Sequence, residues 1–412
     1  MMRRYYWLLA WVLIWLNLFT GTVWAVTTGP SELPPQVVGK AAILIDARTG
    51  AVLYEKQIHQ PLPPASTTKI LTVLVALEKG NLKQKVRTSK AATLEDGSSI
   101  WLLEGEEMTL EDLLYAVLLN SANDASLVVA ETIGGSKEGF ARMMNEKARQ
   151  LGAKNSNFLN PNGLPEEGHY TTAYDLALIT KGALDNPKFR EIAATKVREI
   201  PRQQPAALNR LINHNKLLWS YEGANGVKTG YTVEAQQCLV ASASRGDREF
   251  ISVVLGSQGQ NIWSDSIKLL DYGFNNFKIM PLIKVGERVT EVEVNDGITK
   301  LQVISGEDLS WTTSIQEKRK PSGRLVLSGN LAAPITKGKK VGTMIYSLDG
   351  QEVGQVRLFA AKQVEENKTI ENLIKGGLLV LSLLVVPVMI RQRQLHRRRE
   401  MRRLARRSRR NY

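Results

Sequence analysis

A mixed α/β (α+β) fold, with helices packed on an antiparallel sheet, then a small all-β domain and a C-terminal transmembrane helix, is predicted by three observations. Helical apolar runs at 66–79 and 113–119 precede strand-like runs at 238–244 and 250–255. Short apolar runs separated by Gly, Asp and Pro turns fill residues 281–361. An unbroken apolar stretch at 373–390 stands just ahead of a strongly basic terminus. At 412 residues and 43% hydrophobic content, the chain is long enough for two cored domains.

The N-terminus carries Arg3 and Arg4, an apolar run at 5–19, and Ala25 two places after Val23. A basic start, an apolar middle and small residues at a cleavage point predict a secretory signal peptide over 1–25. The first domain is then expected over 35–278.

Pro61, Pro63 and Pro64 oppose helix, and the apolar residues Ile70, Leu71, Val73, Leu74, Val75 and Leu77 run until Gly80. That spacing predicts a helix over 66–79. Ser66 then lies in its first turn beside unpaired backbone N–H groups and the positive end of the helix dipole, and Lys69 lies three residues on along the same face. The pair reads as nucleophile and base. An ammonium cannot take a proton from a hydroxyl, and the ordinary lysine pKa is about 10.4, so holding Lys69 neutral near pH 7 costs about 4 kcal/mol. Burial and a second cation supply that shift, and Lys228 is the candidate cation. No acidic residue lies between Pro61 and Ala76 to oppose it.

The run at 113–119 predicts a buried helix ending at Asn120-Ser121-Ala122-Asn123. Ser121 is placed to relay a proton towards a leaving group, and the Asn123 amide to hold a substrate amide by donating and accepting at once. Further on, Gly226-Val227-Lys228-Thr229-Gly230-Tyr231-Thr232 precedes the two strand-like runs. Gly230 admits an extended substrate against the strand edge, while Lys228 and the Thr229 hydroxyl meet negative charge.

Ser-x-x-Lys, Ser-x-Asn and Lys-Thr-Gly in this order are the motif set of penicillin-binding proteins and their β-lactamase relatives. The chain resembles the D-alanyl-D-alanine carboxypeptidases among them, from about residue 41 to 277. The likeness runs through Ala42-Ile43-Leu44-Ile45-Asp46, Phe158-Leu159-Asn160-Pro161-Asn162-Gly163-Leu164 and Asn215-Lys216-Leu217-Leu218-Trp219. The resemblance implies a β-lactamase/transpeptidase-like catalytic domain followed by a β module, and an exported serine enzyme that removes the terminal D-alanine from peptidoglycan stem peptides. It implies catalytic roles for Ser66, Lys69 and Ser121, and substrate binding by Asn123, Lys228, Thr229, Gly230 and Tyr231. The backbone N–H groups of Ser66 and Tyr231 form the implied oxyanion hole, and β-lactam antibiotics are implied to acylate Ser66. Some members carry an arginine after the strands that follow Lys-Thr-Gly; none occurs here between Arg248 and Met280, which leaves Lys228, Thr229 and Thr232 as candidates for the substrate carboxylate.

Other chemistries fit less well. There is no Gly-x-Ser-x-Gly elbow, and His59, His169, His214 and His396 have no metal-ligand spacing, so neither metal nor cofactor is expected. The residue three before Leu159 is Ser156, where class A β-lactamases place a glutamate. A β-lactamase or a wall endopeptidase is therefore the alternative enzyme, and a non-catalytic penicillin sensor or scaffold the alternative outside catalysis. Cys238, the single cysteine, reads as a buried small hydrophobe and excludes an internal disulfide.

Most of the net charge of +14 sits at the ends: residues 391–412 hold eleven arginines against one glutamate, and Arg3 and Arg4 add two more charges. The body is nearly neutral, so a nucleic-acid partner is not expected. After the β domain at 281–361 and a linker at 362–372, the eighteen residues 373–390 make about 27 Å of helix, close to a bilayer's hydrocarbon thickness. The arginines behind them place 391–412 in the cytoplasm by the positive-inside rule and the catalytic body outside the cell membrane.

Overall fold

The computed structural model describes residues 33–203 and 207–408; the expected signal peptide at 1–25 lies outside them. The chain divides into two compact units. One reaches to Ile279 and takes in Thr312–Lys318, and the other comprises Met280–Trp311 and the chain from Arg319.

The first unit is built on a five-stranded sheet of β1 (Ala41–Asp46), β2 (Val52–Lys56), β3 (Ala224–Thr232), β4 (Gln236–Arg245) and β5 (Arg248–Ser257). The strand order is β2-β1-β5-β4-β3, every pair is antiparallel, and β3 is an edge. The alternation of side chains along a strand explains why β1 is apolar from Ala41 to Ile45. Ala41, Ile43 and Ile45 join one buried cluster and Ala42 and Leu44 the other. Ile251, Val253 and Leu255 of β5 face the first cluster, and Phe250 and Val254 the second.

One face of the sheet is covered by the helix at Asn261–Asn276, whose Ile262, Leu269, Leu270 and Phe274 are buried there. The other carries α1 (Lys69–Lys79), α2 (Leu110–Leu119), α3 (Asn123–Gly134), α4 (Lys137–Gln150) and α5 (Ala173–Leu184). α1 is buried from Lys69 to Ala76, which is why its apolar residues surround the helix instead of forming one stripe. Helix starts are capped by side chains: Thr109 accepts from Asp112 N–H, Ser136 from Gly139 and Thr172 from Asp175. The expected helix over 66–79 differs in its first turn. Ala65–Thr68 form a separate 3-10 turn, and α1 proper starts at Lys69.

The second unit holds a five-stranded antiparallel sheet of β6 (Arg288–Val292), β7 (Leu301–Ser305), β8 (Ser322–Leu327), β9 (Lys340–Leu348) and β10 (Gln351–Ala360), in the order β6-β7-β10-β9-β8. Its core includes Leu301, Val303, Val341, Val356, Leu358 and Ala360. Residues Thr369–Ser408 form one helix of 40 residues with Pro387 inside it. The portion Glu371–Leu404 is long and apolar enough to cross a membrane, with none of its most apolar window buried in protein. The helix starts inside the expected linker, two residues after Asn367, whose Oδ1 accepts from Thr369 N–H. It runs past the expected end at Ile390 because arginine is a good helix former and no glycine follows.

Candidate active site

The Ser-x-x-Lys motif begins in the short turn under the edge strand. Ser66 is half-buried in the 3-10 turn, following Ala65 at φ +47, a left-handed conformation for a residue with a side chain. Gly230 of β3 packs directly on this turn. A Cβ there would stand 2.8 Å from Ser66 N and 3.0 Å from Thr67 N, so only glycine lets the strand edge approach Ser66.

Below the turn lies the loop Asn160-Pro161-Asn162-Gly163-Leu164. Gly163, at φ +86, is so close that a Cβ would fall 1.8 Å from the Ala65 carbonyl oxygen and 2.8 Å from Thr68 Oγ1. Asn160 Oδ1 accepts from Gly163 N at 2.7 Å, and Thr72 Oγ1 donates to the Pro161 carbonyl at 2.5 Å. His169 closes the underside. Its Nδ1 accepts from Leu159 N–H at 3.1 Å, so Nε2 carries the proton and donates to Thr68 Oγ1 at 3.1 Å. Burial holds this imidazole neutral, with its pKa lowered to about 4.

Lys69 is wholly buried. Its Nζ lies 2.9 Å from Ser66 Oγ, 2.7 Å from Asn123 Oδ1 and 2.7 Å from the Asn162 carbonyl oxygen. Two of these neighbours are pure acceptors, while the Ser66 hydroxyl can donate or accept. Desolvation holds the Lys69 pKa well below its ordinary value, the nearby Lys228 charge depresses it further, and Asp124 and Glu95 oppose the shift.

The second motif bridges α2 and α3. Ser121 sits between the two helices at φ +60 and is 5% exposed; among the described residues its hydroxyl has no hydrogen-bond partner. Asn123 is fully engaged at one end: Oδ1 faces Lys69, while Nδ2 donates to the Asp96 carbonyl at 2.5 Å and the backbone N–H to Ser98 O at 2.7 Å. Of its two amide N–H bonds, one is taken by the Asp96 carbonyl. The next residue, Asp124, is buried and accepts from Ser99 Oγ, Ile100 N and Leu102 N.

The third motif runs along β3. Lys228 is 1% exposed and donates to the Thr229 carbonyl at 2.9 Å; burial lowers its pKa to about 7. Thr229 is half-buried, Tyr231 is exposed, and Thr232 Oγ1 accepts from Ala235 N–H in the turn that follows. Asn215, buried, donates to the Gly226 carbonyl at 2.7 Å and so holds the start of the motif. The structure therefore joins Ser66, Lys69 and Asn123 by hydrogen bonds, sets Gly230 against Ser66, and couples Lys228 to Lys69 electrostatically. Unforeseen members are the Asn162 carbonyl, Glu95, which accepts from Asn162 Nδ2 at 2.5 Å, and Asp124. The turn-forming run from Asn160 to Gly163 was the available signal for the first of these.

A serine bonded to a desolvated lysine, in an α+β body with an antiparallel sheet, defines a serine hydrolase working by acyl transfer. The D-alanyl-D-alanine carboxypeptidase family model matches residues 28–259, and that of the penicillin-binding protein 5 C-terminal domain matches 277–366. The chain is 39% identical over 335 residues to the D-alanyl-D-alanine carboxypeptidase DacF of Bacillus subtilis, covering 79% of this chain and 86% of that protein. It is 35% identical over 349 residues to the D-alanyl-D-alanine carboxypeptidase DacC of Escherichia coli, covering 81% and 86%. The crystal structure of penicillin binding protein 5 from Haemophilus influenzae matches with a TM-score of 0.73 at 30% identity, covering 82% of this chain and all of that one. The chain belongs to the D-alanyl-D-alanine carboxypeptidase family, as a serine D-Ala-D-Ala carboxypeptidase with the penicillin-binding-protein fold.

Proposed function

We propose that Ser66 is the nucleophile and Lys69 its general base in removing the terminal D-alanine from peptidoglycan stem peptides. The observation that carries this reading is the Lys69 amine, buried, 2.9 Å from Ser66 Oγ and bonded to two carbonyl-type acceptors. The substrate lies along the open edge of β3 beside Gly230, adding itself as an extended strand. Ser66 Oγ attacks the carbonyl carbon between the two D-alanines and gives its proton to Lys69. The backbone N–H groups of Ser66 and Tyr231 receive the oxyanion.

The C–N bond then breaks, and the departing D-alanine amine takes a proton relayed from Lys69 through Ser121. Lys228 and Thr229 receive its carboxylate. Water, deprotonated in turn by Lys69, attacks the ester and restores Ser66. β-Lactams present the same carbonyl and carboxylate and acylate the same oxygen.

Residues 1–25 act as the export signal, 35–278 as the catalytic domain, 281–361 as a β-rich spacer and 362–372 as the connection to the anchor. Residues 373–390 span the cell membrane, with 391–412 cytoplasmic and the catalytic domain outside. Support for the anchor comes from the helix at Glu371–Leu404, whose apolar part meets no protein and whose arginines follow at once. The test is steady-state release of D-alanine from a stem-peptide mimic by the purified chain and by Ser66→Ala. Release by the parent alone is expected; equal release by Ser66→Ala contradicts the reading.

A further inference from the structure

The two oxygens that accept from the Lys69 amine belong to residues far apart in sequence, and one dipeptide reaches both residues. Asn123 supplies its Oδ1 and Asn162 its backbone carbonyl, each 2.7 Å from Nζ. Asn123 Nδ2 donates to the Asp96 carbonyl at 2.5 Å, and Asn162 Nδ2 donates to Glu95 Oε1 at 2.5 Å. Residues 95 and 96 therefore hold the side chains of both asparagines that meet the lysine.

The dipeptide is itself anchored. It follows the short helix Lys90–Thr93, which Ser89 caps by accepting from Ala92 N–H at 3.1 Å, and Glu95 N–H donates to the carbonyl of the buried Ala92 at 3.3 Å. Asn123 has further support, since its N–H donates to Ser98 O at 2.7 Å and it opens α3. Asn162 has less. Within its loop, Gly163 N–H donates to Asn160 Oδ1 and Leu164 N–H to Asn162 Oδ1. Thr72 and Lys69 of α1 donate to the Pro161 and Asn162 carbonyls. Beyond α1 and residues 160–166, the one hydrogen bond that the segment 160–164 makes among the described residues is the bond to Glu95.

The Glu95 charge by itself is unhelpful to a neutral base. With Asp124 it raises the proton affinity of Lys69, against the burial and the Lys228 charge that lower it. What Glu95 contributes is the bond. A carboxylate accepts from an amide N–H more strongly than a neutral oxygen does, and Asn162, 1% exposed, carries an N–H that is costly to leave unpaired.

We propose that Glu95 is a positioning residue for the reaction: through the Asn162 side chain it holds the Asn162 carbonyl beneath Lys69 Nζ and so aims the amine at Ser66 Oγ. This rests on Lys69 acting as the base. With the bond made, the lysine is fixed between its two acceptors and the serine at 2.7–2.9 Å. Without it the loop carbonyl shifts, and the amine follows it away from the hydroxyl.

The test measures, by stopped flow with a fluorescent penicillin on the full chain in detergent, the acylation rate constant and the dissociation constant of the complex that precedes it. Glu95→Ala is expected to slow acylation about thirtyfold with the dissociation constant unchanged, because the base and not the binding edge is displaced. Glu95→Gln, whose amide oxygen still accepts from Asn162 Nδ2, restores the rate to within about threefold of the parent. In an Asn162→Ala background the carbonyl remains but the link is gone, so adding Glu95→Ala slows acylation less than about threefold, where independent effects would multiply. Thermal unfolding of each variant shows that the rates refer to folded protein. Parent-like acylation by Glu95→Ala, an equal loss in Glu95→Gln, a loss confined to the dissociation constant, or the full loss in the Asn162→Ala background overturns the proposal. Lys69→Arg slows acylation by orders of magnitude whatever stands at position 95; if it does not, the reading of the base fails and takes the positioning role with it, a result distinct from any failure of Glu95 alone.

Discussion

Replacing Asn123 by Asp alters the charge environment of Lys69, the proposed base, while changing side-chain volume hardly at all. Asn123 Oδ1 stands 2.7 Å from Lys69 Nζ and the residue is 4% exposed, so a carboxylate introduced there meets the lysine with little solvent between. At an effective dielectric of about 20, unit charges at that separation attract by about 6 kcal/mol. The new carboxylate must itself be desolvated, and it turns an acceptor towards the Asp96 carbonyl that Asn123 Nδ2 now serves. Setting about half the attraction against these costs leaves about 3 kcal/mol favouring the ammonium, or about two pH units in the lysine's titration, and so a loss of neutral amine of up to about a hundredfold. The assay is the second-order rate of acylation by a fluorescent penicillin between pH 6 and 10. Asn123→Asp is expected to move the rise of acylation with pH up by about two units, with a loss of up to about a hundredfold on the acid side of that rise, while Asn123→Ala, which removes the bond but adds no charge, moves it less. An acylation profile of Asn123→Asp that coincides with the parent's from pH 6 to 10 would refute a neutral, desolvated Lys69.

Other expectations follow from the same geometry. Lys228 is cationic below about pH 7 and loses its charge as pH rises through that value, so kcat/KM for a carboxylate-ended peptide should decline on that alkaline limb; Lys228→Arg, charged throughout, should remove the limb from a pH–rate profile. Gly163→Ala adds a Cβ 1.8 Å from the Ala65 oxygen and should lower stability by roughly 2–4 kcal/mol in denaturant unfolding, with acylation lost even where the protein remains folded. If residues 373–390 span the bilayer, the chain stays with membranes through carbonate and high salt, and protease added outside spheroplasts spares the arginine tail. Release by either wash would instead indicate adsorption at the surface. Truncation before Leu373 should yield a soluble, active enzyme.

What could be read along the chain was whatever depends on side-chain identity in order. Ser66, Lys69, Ser121, Asn123 and Lys228 stand out because their chemistry is carried by residue type and spacing, and the helices at 66–79 and 113–119 because their apolar runs end at Gly80 and Asn120. The Asn162 carbonyl did not stand out, since a backbone oxygen has no sequence mark of its own and its role arises only where the loop crosses under α1. The close approaches at Gly163 and Gly230 likewise belong to tertiary packing. Strand β10 lies within the expected β domain, though Gln351, Glu352 and Gln355 face solvent at its start and only Val356, Leu358 and Ala360 alternate inward. The terminal helix overran its expected end because hydropathy marks where a bilayer would end, while arginine continues the helix beyond it.

Intact-mass analysis after exposure to penicillin, on the parent, Ser66→Ala and Lys69→Arg, tests the central pair most directly. Arginine keeps a cation at position 69 but cannot become a neutral base. The account predicts one adduct per molecule of parent, none on Ser66→Ala, and on Lys69→Arg a folded protein that acylates orders of magnitude more slowly. A stoichiometric adduct on Ser66→Ala, or parent-like acylation of Lys69→Arg, would contradict it.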